Sequence, residues 1–445
     1  MKVAREWRVY ALGAVVCAAL TINSRNMADR GGPYFDLSVG VACAAYLLAM
    51  REFFTTLKFP RRFVVFGLVL AAVWQVEFLR LPAGFDDDIH RYVWDGRLQR
   101  LGYNPYTVIP ADPAVRALHT QETRNLNNSA LPSPYPAGAE LFFRAVTAIQ
   151  ESSFALKVAF IICDWAIVLV LLHILRRTGQ GAHLVLAYAW NPLLAIEVAG
   201  SGHIDILGAL FVLVSAAALW RRRRTAAAVT LGLAVAVKFL PVVLVPLYWK
   251  RVRVRDAALA VAVVALLYLP FLNHGRIPIG SFGTYVQSFR FNGPVVAILH
   301  PLAPPWVLAG LAVLAGLLTA AWVRRRTAAE WSPGAFAWPM AASLFCAPAV
   351  FPWYLLWLLP FLTSTSTLLI LLWTVCIFPV YVQWHLRTLG IPWGPLPVWA
   401  MLVEYGSLAI AAVILIRRKQ RRGVSTGSLV ETKFEHLESG GSRRD

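Results

Sequence analysis

The sequence DDDIHRYVWDGRLQRLGYNPY occupies residues 86–106 and follows directly after an apolar run at residues 63–79. Three consecutive carboxylates repel one another and are costly to desolvate beside an apolar segment, so folding alone does not require them there. A cation held nearby, or a proton to be abstracted from a substrate, would account for the triplet. The structural alternative is a helix cap whose aspartates pair with Arg91.

A helix that starts at Asp88 would collect the polar side chains of this segment on one face. They recur with the spacing i, i+3, i+4 and i+7 of neighbouring helix turns: Asp88, Arg91, Tyr92 and Asp95. An aspartate on this face can take the proton of an attacking hydroxyl, and a neighbouring acid such as Asp86 or Asp87 would raise its pKa toward neutrality. Carboxylates can also hold a divalent cation against a phosphate leaving group, and the sequence leaves both uses open.

The composition identifies an integral membrane protein built from helices. Of the 445 residues, 58% are hydrophobic and 15% are charged, against about 25% charged in soluble domains. Apolar runs long enough to span a bilayer as helices recur along nearly the whole chain. The first run, at residues 9–22, has no small-residue cleavage pattern after it and is predicted to be a retained helix. We therefore predict an all-α, multi-pass transmembrane bundle with about 12–14 membrane segments.

The net charge of +19 follows the pattern of a membrane protein and not that of a nucleic-acid binder. Most of the 42 Lys and Arg residues lie in short clusters between apolar runs or at the ends, for example at residues 221–224 and 417–422. Such clusters stay on the cytoplasmic side, where anionic membrane lipid attracts them, so both termini are predicted to be cytoplasmic. The five cysteines all lie in apolar runs without metal-ligand spacing, and we interpret them as core residues.

The clusters also predict which segments face outward. Residues 80–154 form one long external loop, and residues 225–249 carry basic clusters at both ends, which a single straight span cannot satisfy. That run is therefore predicted to be a hairpin of two half-helices, hinged near residues 238–241, where a proline breaks the helix. The membrane domain is assigned to residues 1–422, and the Ser-, Gly- and Glu-rich residues 423–445 to a disordered cytoplasmic tail.

Several polar and aromatic residues outside the acidic triplet fall at the same outer surface. Ionisable groups at membrane depth are functional candidates by default, and their shared side strengthens this interpretation. We predict that they bind substrate together with Asp86 and the helix face described above. These residues are Asn104, Tyr135, His203, Asp205, Lys238, Arg290, Trp353 and Tyr354.

Each of these groups also has a structural interpretation. His203 and Asp205 follow a Gly-Ser-Gly break and could cap the start of a helix, since Asp is favoured there. Lys238 could extend to the headgroups, or pair with Glu197 or Asp205, instead of meeting a phosphate. The aromatic run around Trp353 is typical of an interface belt, and it could also stack on a sugar or shape a prenyl groove.

The pattern D-D-x-x-R-Y-x-W-D-G-R at residues 87–97, followed by Gly-Tyr-Asn-Pro-Tyr at residues 102–106, resembles bacterial membrane glycosyltransferases of the GT-C fold. It is similar to the branch of polyprenyl-phosphate-mannose-dependent mannosyltransferases. Three further features occur in the same order as in that branch: Ser-Pro-Tyr-Pro at residues 133–136, N-P…G-x-G-H-x-D at residues 191–205 and Pro-Trp-Tyr at residues 352–354. The resemblance covers roughly residues 60–365.

The resemblance implies an inverting hexosyltransferase that takes mannose from a polyprenyl phosphate and needs no nucleotide-sugar domain. The base of such enzymes is an aspartate of the first large external loop, which corresponds here to Asp88, with Asp87 as the second candidate. The reaction would take place on the periplasmic or extracellular face of a bacterial plasma membrane. The implied partners are the lipid-linked sugar donor and a glycan, glycolipid or protein acceptor, and no cofactor is implied beyond a possible divalent cation.

Two positions depart from the family pattern: His90 stands where the family often has Tyr, and Ile204 stands where it often has Asn. These departures affect the expected sugar and acceptor more than the expected chemistry. A polytopic transporter or lipid flippase is the alternative class. Against it, the polar groups lie at one face and not along a midplane path, and no inverted repeat is visible.

Overall fold

The computed structural model describes residues 2–56, 58–84, 88–124, 126–273, 278–326 and 331–438. Helices make up 74% of the protein. No β-strand occurs within the described ranges, where two isolated bridges join Phe291 and Asn292 to Ala349. The predicted all-α class is confirmed.

The α-helices follow one another in chain order and are joined by loops and short 3-10 turns. Their bounds are α1 Lys2–Ser24, α2 Pro33–Thr55, α3 Arg61–Leu79, α4 Ile89–Arg100, α5 Ala137–Ile149, α6 Ser153–Arg177, α7 Leu186–Ala189, α8 Asp205–Trp220, α9 Arg224–Val237, α10 Val245–Tyr248, α11 Val254–Tyr268, α12 Phe282–Ser288, α13 Pro294–Leu299, α14 Pro305–Arg326, α15 Pro333–Phe345, α16 Leu368–Cys376, α17 Val382–Thr388 and α18 Val398–Glu438. A π-helix at Leu194–Gly200 lies between α7 and α8.

Within the described residues, eight helical segments are long and apolar enough to cross a membrane, or nine if a bent pair counts as one span. The pair consists of Ala182–Ala189 and Leu194–Gly200, which meet at 66°. These segments identify a multi-pass membrane protein, although long apolar helices are fewer than the 12–14 predicted segments. Prolines explain part of the difference, because they divide later apolar runs into short pieces such as α15 and the 3-10 turn at Pro352–Trp357.

Two of the basic clusters lie at the ends of α3 and α6 that are remote from the segment joining these helices. Arg62, near the start of α3, lies 3.3 Å from the carboxylate of Glu6 in α1, and Arg221, just after α8, lies 3.1 Å from the ring of His173 near the end of α6. The other ends of α3 and α6 both lead into the segment that joins them, which therefore lies at the opposite end. These basic residues are thus separated from the start of α4, and the side of the membrane on which each group lies stays a prediction.

The chain breaks at Lys238, as predicted. α9 ends at Val237, Lys238 is extended with φ −155° and ψ 151°, and a 3-10 turn that contains Pro241 starts the return. The return ends at Trp249, whose carbonyl oxygen accepts a hydrogen bond from the guanidinium of Arg324 at 3.4 Å. Since Arg324 belongs to the basic end of α14, the run starts and ends at the basic end, with Lys238 at its far tip.

The last helix, α18, continues to Glu438. Residues 439–445 lie outside the described residues. A helix needs only local backbone hydrogen bonds, so a polar segment that packs against no core can still be helical. The assignment of residues 423–445 to a disordered cytoplasmic tail stays a prediction.

The segment between α3 and α6 is itself folded, because α4 packs closely against α5. Gly96 lets the helices approach: a Cβ atom there would lie 2.5 Å from Thr147 Oγ1 and 2.7 Å from the carbonyl oxygen of Phe143. The ring of Tyr92 stacks on that of Phe143 with centroids 4.4 Å apart. These contacts fix the orientation of α4, whose N-terminus follows Asp88.

Gly96→Ala is expected to destabilise the protein, since the added methyl group meets backbone that cannot easily move away. Overpacking of this kind costs about 1–3 kcal/mol, which thermal unfolding in detergent detects as a lower Tm. Gly40→Ala is the matched control, because no atom lies within 4 Å of the Cβ position at Gly40 in α2. An equal Tm for the two variants would contradict the close packing of α4 on α5.

Candidate functional site

Asp88 is the residue immediately before α4, and it is half-buried. One of its carboxylate oxygens accepts a hydrogen bond from Asn127 Nδ2 at 2.8 Å. Its side chain does not cap the helix, and Arg91 pairs with Asp95 instead of with Asp88. The purely structural interpretation, a capping aspartate paired with Arg91, is therefore wrong for Asp88.

Arg91 and Asp95 form a buried ion pair along the same face of α4. Arg91 Nε lies 2.9 and 3.1 Å from the two carboxylate oxygens of Asp95, and Arg91 Nη1 donates to the carbonyl oxygen of Leu131 at 2.9 Å. The two side chains are only 3% and 0% exposed. The pair therefore joins α4 to the loop that leads to residues 133–136. This link fixes the position of α4, and Asp88 immediately precedes that helix.

Glu140 of α5, which the sequence pattern does not single out, completes a buried carboxyl pair with Asp95. Glu140 accepts hydrogen bonds from Ser133 Oγ and, at 2.9 Å, from Gln99 Nε2. Burial raises the pKa of Glu140 well above its usual range, and the charge of Asp95 raises it further. Burial also raises the pKa of Asp95, although Arg91 opposes that shift. With one cation facing two buried carboxyl groups, Glu140 is the one that stays neutral.

Glu140→Gln is expected to flatten the pH dependence of stability. The folded protein keeps a proton on Glu140 that the unfolded chain releases above about pH 4.5. The stability from this group is therefore full below that pH and is lost as the pH rises through the folded pKa. The Tm of the wild-type protein should fall across this window, and that of Glu140→Gln should fall less. Two identical profiles of Tm against pH would contradict a neutral Glu140.

His203 lies between a buried carboxylate and an aromatic ring. Its Nδ1 is 2.8 Å from Glu197 Oε2, and its ring stacks on Trp353 with centroids 4.1 Å apart and an interplanar angle of 8°. Burial alone would lower the pKa of His203, but Glu197, followed by Asp88 and Asp205, raises it above its ordinary value. The site therefore favours the positively charged form of His203.

Lys238 pairs with Asp205, which is the structural partner that the sequence analysis names as one alternative. Lys238 Nζ lies 2.8 and 2.7 Å from the two carboxylate oxygens of Asp205, which also accepts from Trp357 Nε1 at 2.7 Å. The ammonium group sits over the ring of Tyr354, 4.6 Å from its centroid. Asp205 is fully buried, whereas the side chain of Lys238 is 20% exposed, so Lys238 is open to a ligand while Asp205 holds it.

Four tyrosines interact electrostatically with the Asp88 carboxylate. They are Tyr92, Tyr135, Tyr285 and Tyr354. Tyr92 and Tyr135 also meet edge to face, with ring centroids 5.1 Å apart. Asp88 interacts in the same way with His203, so these rings and the imidazole all lie within electrostatic range of the carboxylate.

Two of the predicted substrate-binding residues stand apart from this group. Asn104 donates to the carbonyl oxygen of Phe271 at 2.9 Å and accepts from the backbone N–H of Tyr106, so it links the segment between α3 and α6 to the turn that follows α11. Arg290 is exposed and joins none of the described hydrogen bonds or ion pairs around Asp88. Substrate binding by Asn104 and Arg290 stays a prediction.

Four residues near Asp88 and its neighbours are not predicted from the sequence as functional candidates. They are Asn127, Glu140, Glu197 and Tyr285. An acid inside an apolar run is a signal that sequence inspection can detect, and Glu197 and Glu140 both carry it. Asn127 and Tyr285 lie on segments whose position depends on distant parts of the chain, and no local pattern marks them.

Within the described residues, no group of three or more His, Cys, Asp and Glu side chains is arranged to hold a metal ion. Asp86 and Asp87, the other members of the acidic triplet, lie outside the described residues and therefore outside that statement. The possible divalent cation stays a prediction, as does the choice of Asp87 as the second candidate for the base.

The structure is thus an all-α, multi-pass membrane protein with Asp88, the Glu197–His203 pair and the Asp205–Lys238 pair close to one another. Residues 14–253, more than half of the chain, match the family model described as Alpha-(1->6)-mannopyranosyltransferase, N-terminal domain. The chain belongs to this mannosyltransferase family, a GT-C family, which confirms the resemblance seen in the sequence and favours a transferase over a transporter or flippase. Comparisons with curated proteins and with solved structures find no match.

Proposed function

We propose that the protein transfers mannose from a polyprenyl-phosphate donor to a hydroxyl group of a glycan or glycolipid, with inversion at the anomeric carbon. The family description supports a 6-hydroxyl as the attacking group and an α-(1→6) linkage in the product. Since a 6-hydroxyl belongs to a sugar, a protein acceptor is the weaker choice. The observation that carries the proposal is the half-buried Asp88 carboxylate, held by Asn127 and flanked by the charged His203.

In the proposed reaction, Asp88 acts as the general base. The acceptor oxygen attacks the anomeric carbon of mannose, and the bond from that carbon to the phosphate oxygen breaks. The proton of the acceptor hydroxyl moves to the Asp88 carboxylate, and the polyprenyl phosphate leaves with the bonding electron pair. Asn127 fixes the rotamer of Asp88, so that one oxygen stays free to receive the proton.

Two positive groups near Asp88, on His203 and Lys238, would stabilise the negative charge of the leaving phosphate. The pairs Glu197–His203 and Asp205–Lys238 each combine one cation with one carboxylate, so their charges nearly cancel before a donor binds. The phosphate gains negative charge as its bond to the sugar breaks, and donors placed beforehand stabilise that change. Lys238, which is partly exposed, is the cation that can turn from Asp205 toward the phosphate.

We expect this chemistry on the non-cytoplasmic face of a bacterial plasma membrane, with both termini in the cytoplasm. The support is the separation of the site from the basic clusters, which the positive-inside rule assigns to the cytoplasm. Arg290→Cys and Arg253→Cys place exposed thiols at the site end and at the basic end. In intact cells, an impermeant maleimide should label the first and spare the second, and the reverse pattern would overturn this orientation.

The direct test of the function is transfer by the purified protein. Labelled polyprenyl-phosphate mannose is incubated with mannose-containing oligosaccharides and glycolipids, with and without EDTA. We expect one equivalent of free polyprenyl phosphate for each labelled product, release of the label by an α-1,6-mannosidase, and no transfer from a nucleotide-linked mannose. Transfer from the nucleotide sugar alone would contradict the donor assignment. A requirement for a divalent cation would appear as a loss of mannose transfer in the presence of EDTA.

A further inference from the structure

Glu197 is a buried acid whose part in the proposed reaction is so far only to balance the charge of His203. It lies in the π-helix Leu194–Gly200, and its backbone carbonyl oxygen accepts from the N–H groups of both Gly202 and His203, at 3.1 and 3.0 Å. π-Helical turns are rare and are frequent at functional sites. The turn brings the ring of His203 back onto the side chain of Glu197.

Gly202 makes this return possible and also places it beside Asp88. Its φ of +76° is a left-handed conformation that any side chain would strain, and a Cβ atom there would lie 2.5 Å from Ile89 Cδ1. Ile89 is the first residue of α4 and follows Asp88 directly. The turn that holds Glu197 and His203 therefore packs against the neighbour of the proposed base, which accounts for the interaction between His203 and Asp88.

The geometry of the Glu197–His203 pair determines which ring nitrogen faces the acid. Glu197 is fully buried, and its Oε2 lies 2.8 Å from His203 Nδ1. The same Nδ1 lies 3.3 Å from the backbone carbonyl oxygen of Glu197. Burial disfavours a charged imidazole, but the neighbouring acids Glu197, Asp88 and Asp205 raise the pKa of His203 above its ordinary value. Because Nδ1 faces Glu197, Nε2 is the ring nitrogen left to donate to a substrate.

We propose that Glu197 is a positioning residue that holds His203 as an imidazolium, with Nε2–H directed to the phosphate oxygen that leaves the sugar. The inference rests on the proposed function. The hydrogen bond strengthens as the phosphate gains charge, so it lowers the barrier more than it tightens donor binding. His203 keeps its proton throughout, the polyprenyl phosphate departs as the anion, and Asp88 takes the proton of the acceptor.

Other charged and titratable groups on the neighbouring elements enter the titration of His203. The cations among them are directed to other acceptors: Lys238 to Asp205, Lys157 to the carbonyl oxygen of Leu81, and Arg30 to Ser201 Oγ. The acids Asp88 and Asp205 raise the pKa of His203, as Glu197 does, and so favour its charged form. Among the described residues, these groups include Arg30, Asp88, Tyr92, Lys157, Asp205, Lys238 and Tyr354.

The test compares Glu197→Gln, His203→Gln and the double variant in the transfer assay as a function of pH. Glu197→Gln removes the counter-ion, so His203 loses its proton at a lower pH. We expect kcat to fall about 10- to 100-fold at about pH 7.5, with little change in donor KM, and to recover toward the wild-type value below about pH 6. His203→Gln should lose about 10²- to 10³-fold at every pH, and the double variant should be no slower.

The controls separate this role from a loss of the fold and from a wrong function. Glu6→Gln, at the opposite end of the bundle, should keep wild-type kinetics, and Tm is measured for every variant. Glu197→Asp keeps a carboxylate beside His203, so kcat should depend on alkaline pH as it does in the wild-type protein. This variant keeps the test decisive even if Glu197→Gln fails to fold. A wild-type rate and pH profile in Glu197→Gln, additive losses in the double variant, or loss of the alkaline limb in Glu197→Asp would overturn the inference. A wild-type protein that transfers no mannose would instead contradict the proposed function.

Discussion

Asp88→Asn is expected to lower kcat by a factor of about 10² to 10⁴, the usual contribution of a general base. Asparagine keeps the shape of the side chain and can still accept the hydrogen bond from Asn127 Nδ2. It has no group basic enough to take the proton of the acceptor hydroxyl. Donor KM should change little, because the cations that would meet the phosphate are untouched. Single-turnover transfer at saturating donor measures the effect without product release.

Asp112→Asn is the matched control for this variant. Asp112 is an exposed aspartate of the same segment between α3 and α6, and its side chain accepts from the backbone N–H of Ala114 at 2.9 Å at the start of a 3-10 turn. Asparagine caps such a turn about as well as aspartate does. Both variants should unfold near the wild-type Tm, and only Asp88→Asn should be slow. Full turnover by Asp88→Asn would remove Asp88 from the reaction, and Asp87→Asn would become the decisive variant.

Lys238→Met is expected to lower both stability and donor use. The fully buried Asp205 would lose the ammonium group 2.7 Å from its Oδ2 and keep the hydrogen bond from Trp357 Nε1. Removing one partner of a buried ion pair costs about 3–5 kcal/mol. Since the side chain of Lys238 is 20% exposed, we expect about 2–3 kcal/mol, seen as a lower Tm. For the donor, kcat/KM should fall about 10²-fold as the phosphate loses a cation.

The double variant Lys238→Met/Asp205→Asn separates the two roles of Lys238. Replacing both charges removes the uncompensated carboxylate, while the asparagine carbonyl can still accept from Trp357 Nε1. Its Tm should therefore recover most of the loss seen in Lys238→Met, and its kcat/KM for the donor should stay low. Recovery of both stability and donor use would mean that Lys238 serves only as the counter-ion of Asp205.

The sequence by itself determined the features that depend on local periodicity and on net charge. The apolar runs identify an all-α membrane protein, because a helix is the structure that satisfies the backbone of a single segment in lipid. The basic clusters at both ends of residues 225–249 predict the break at Lys238, which the structure has. The spacing of residues 88, 91, 92 and 95 predicts the polar face of α4. Each of these inferences needs only neighbours along one segment.

Sequence hydropathy was less reliable where helix breaks decide the number of spans. Pro352 and Pro360 lie in short 3-10 turns within an apolar run, so the number of long helices is lower than hydropathy predicts. This difference arises because hydropathy measures what a segment can bury, and not where its backbone stops being helical.

Only the tertiary structure decided which charges meet. Arg91 has aspartates before and after it in sequence, and packing of α4 on α5 directs it to Asp95 and leaves Asp88 to Asn127. The same packing brings Glu140 to Asp95, and the π-helical turn brings Glu197 to His203. These partners come from segments that are distant in the chain or folded back on themselves, and the energy of a buried charge depends on them. The pairing that sets the charge of the site is therefore a property of the fold and not of any local pattern.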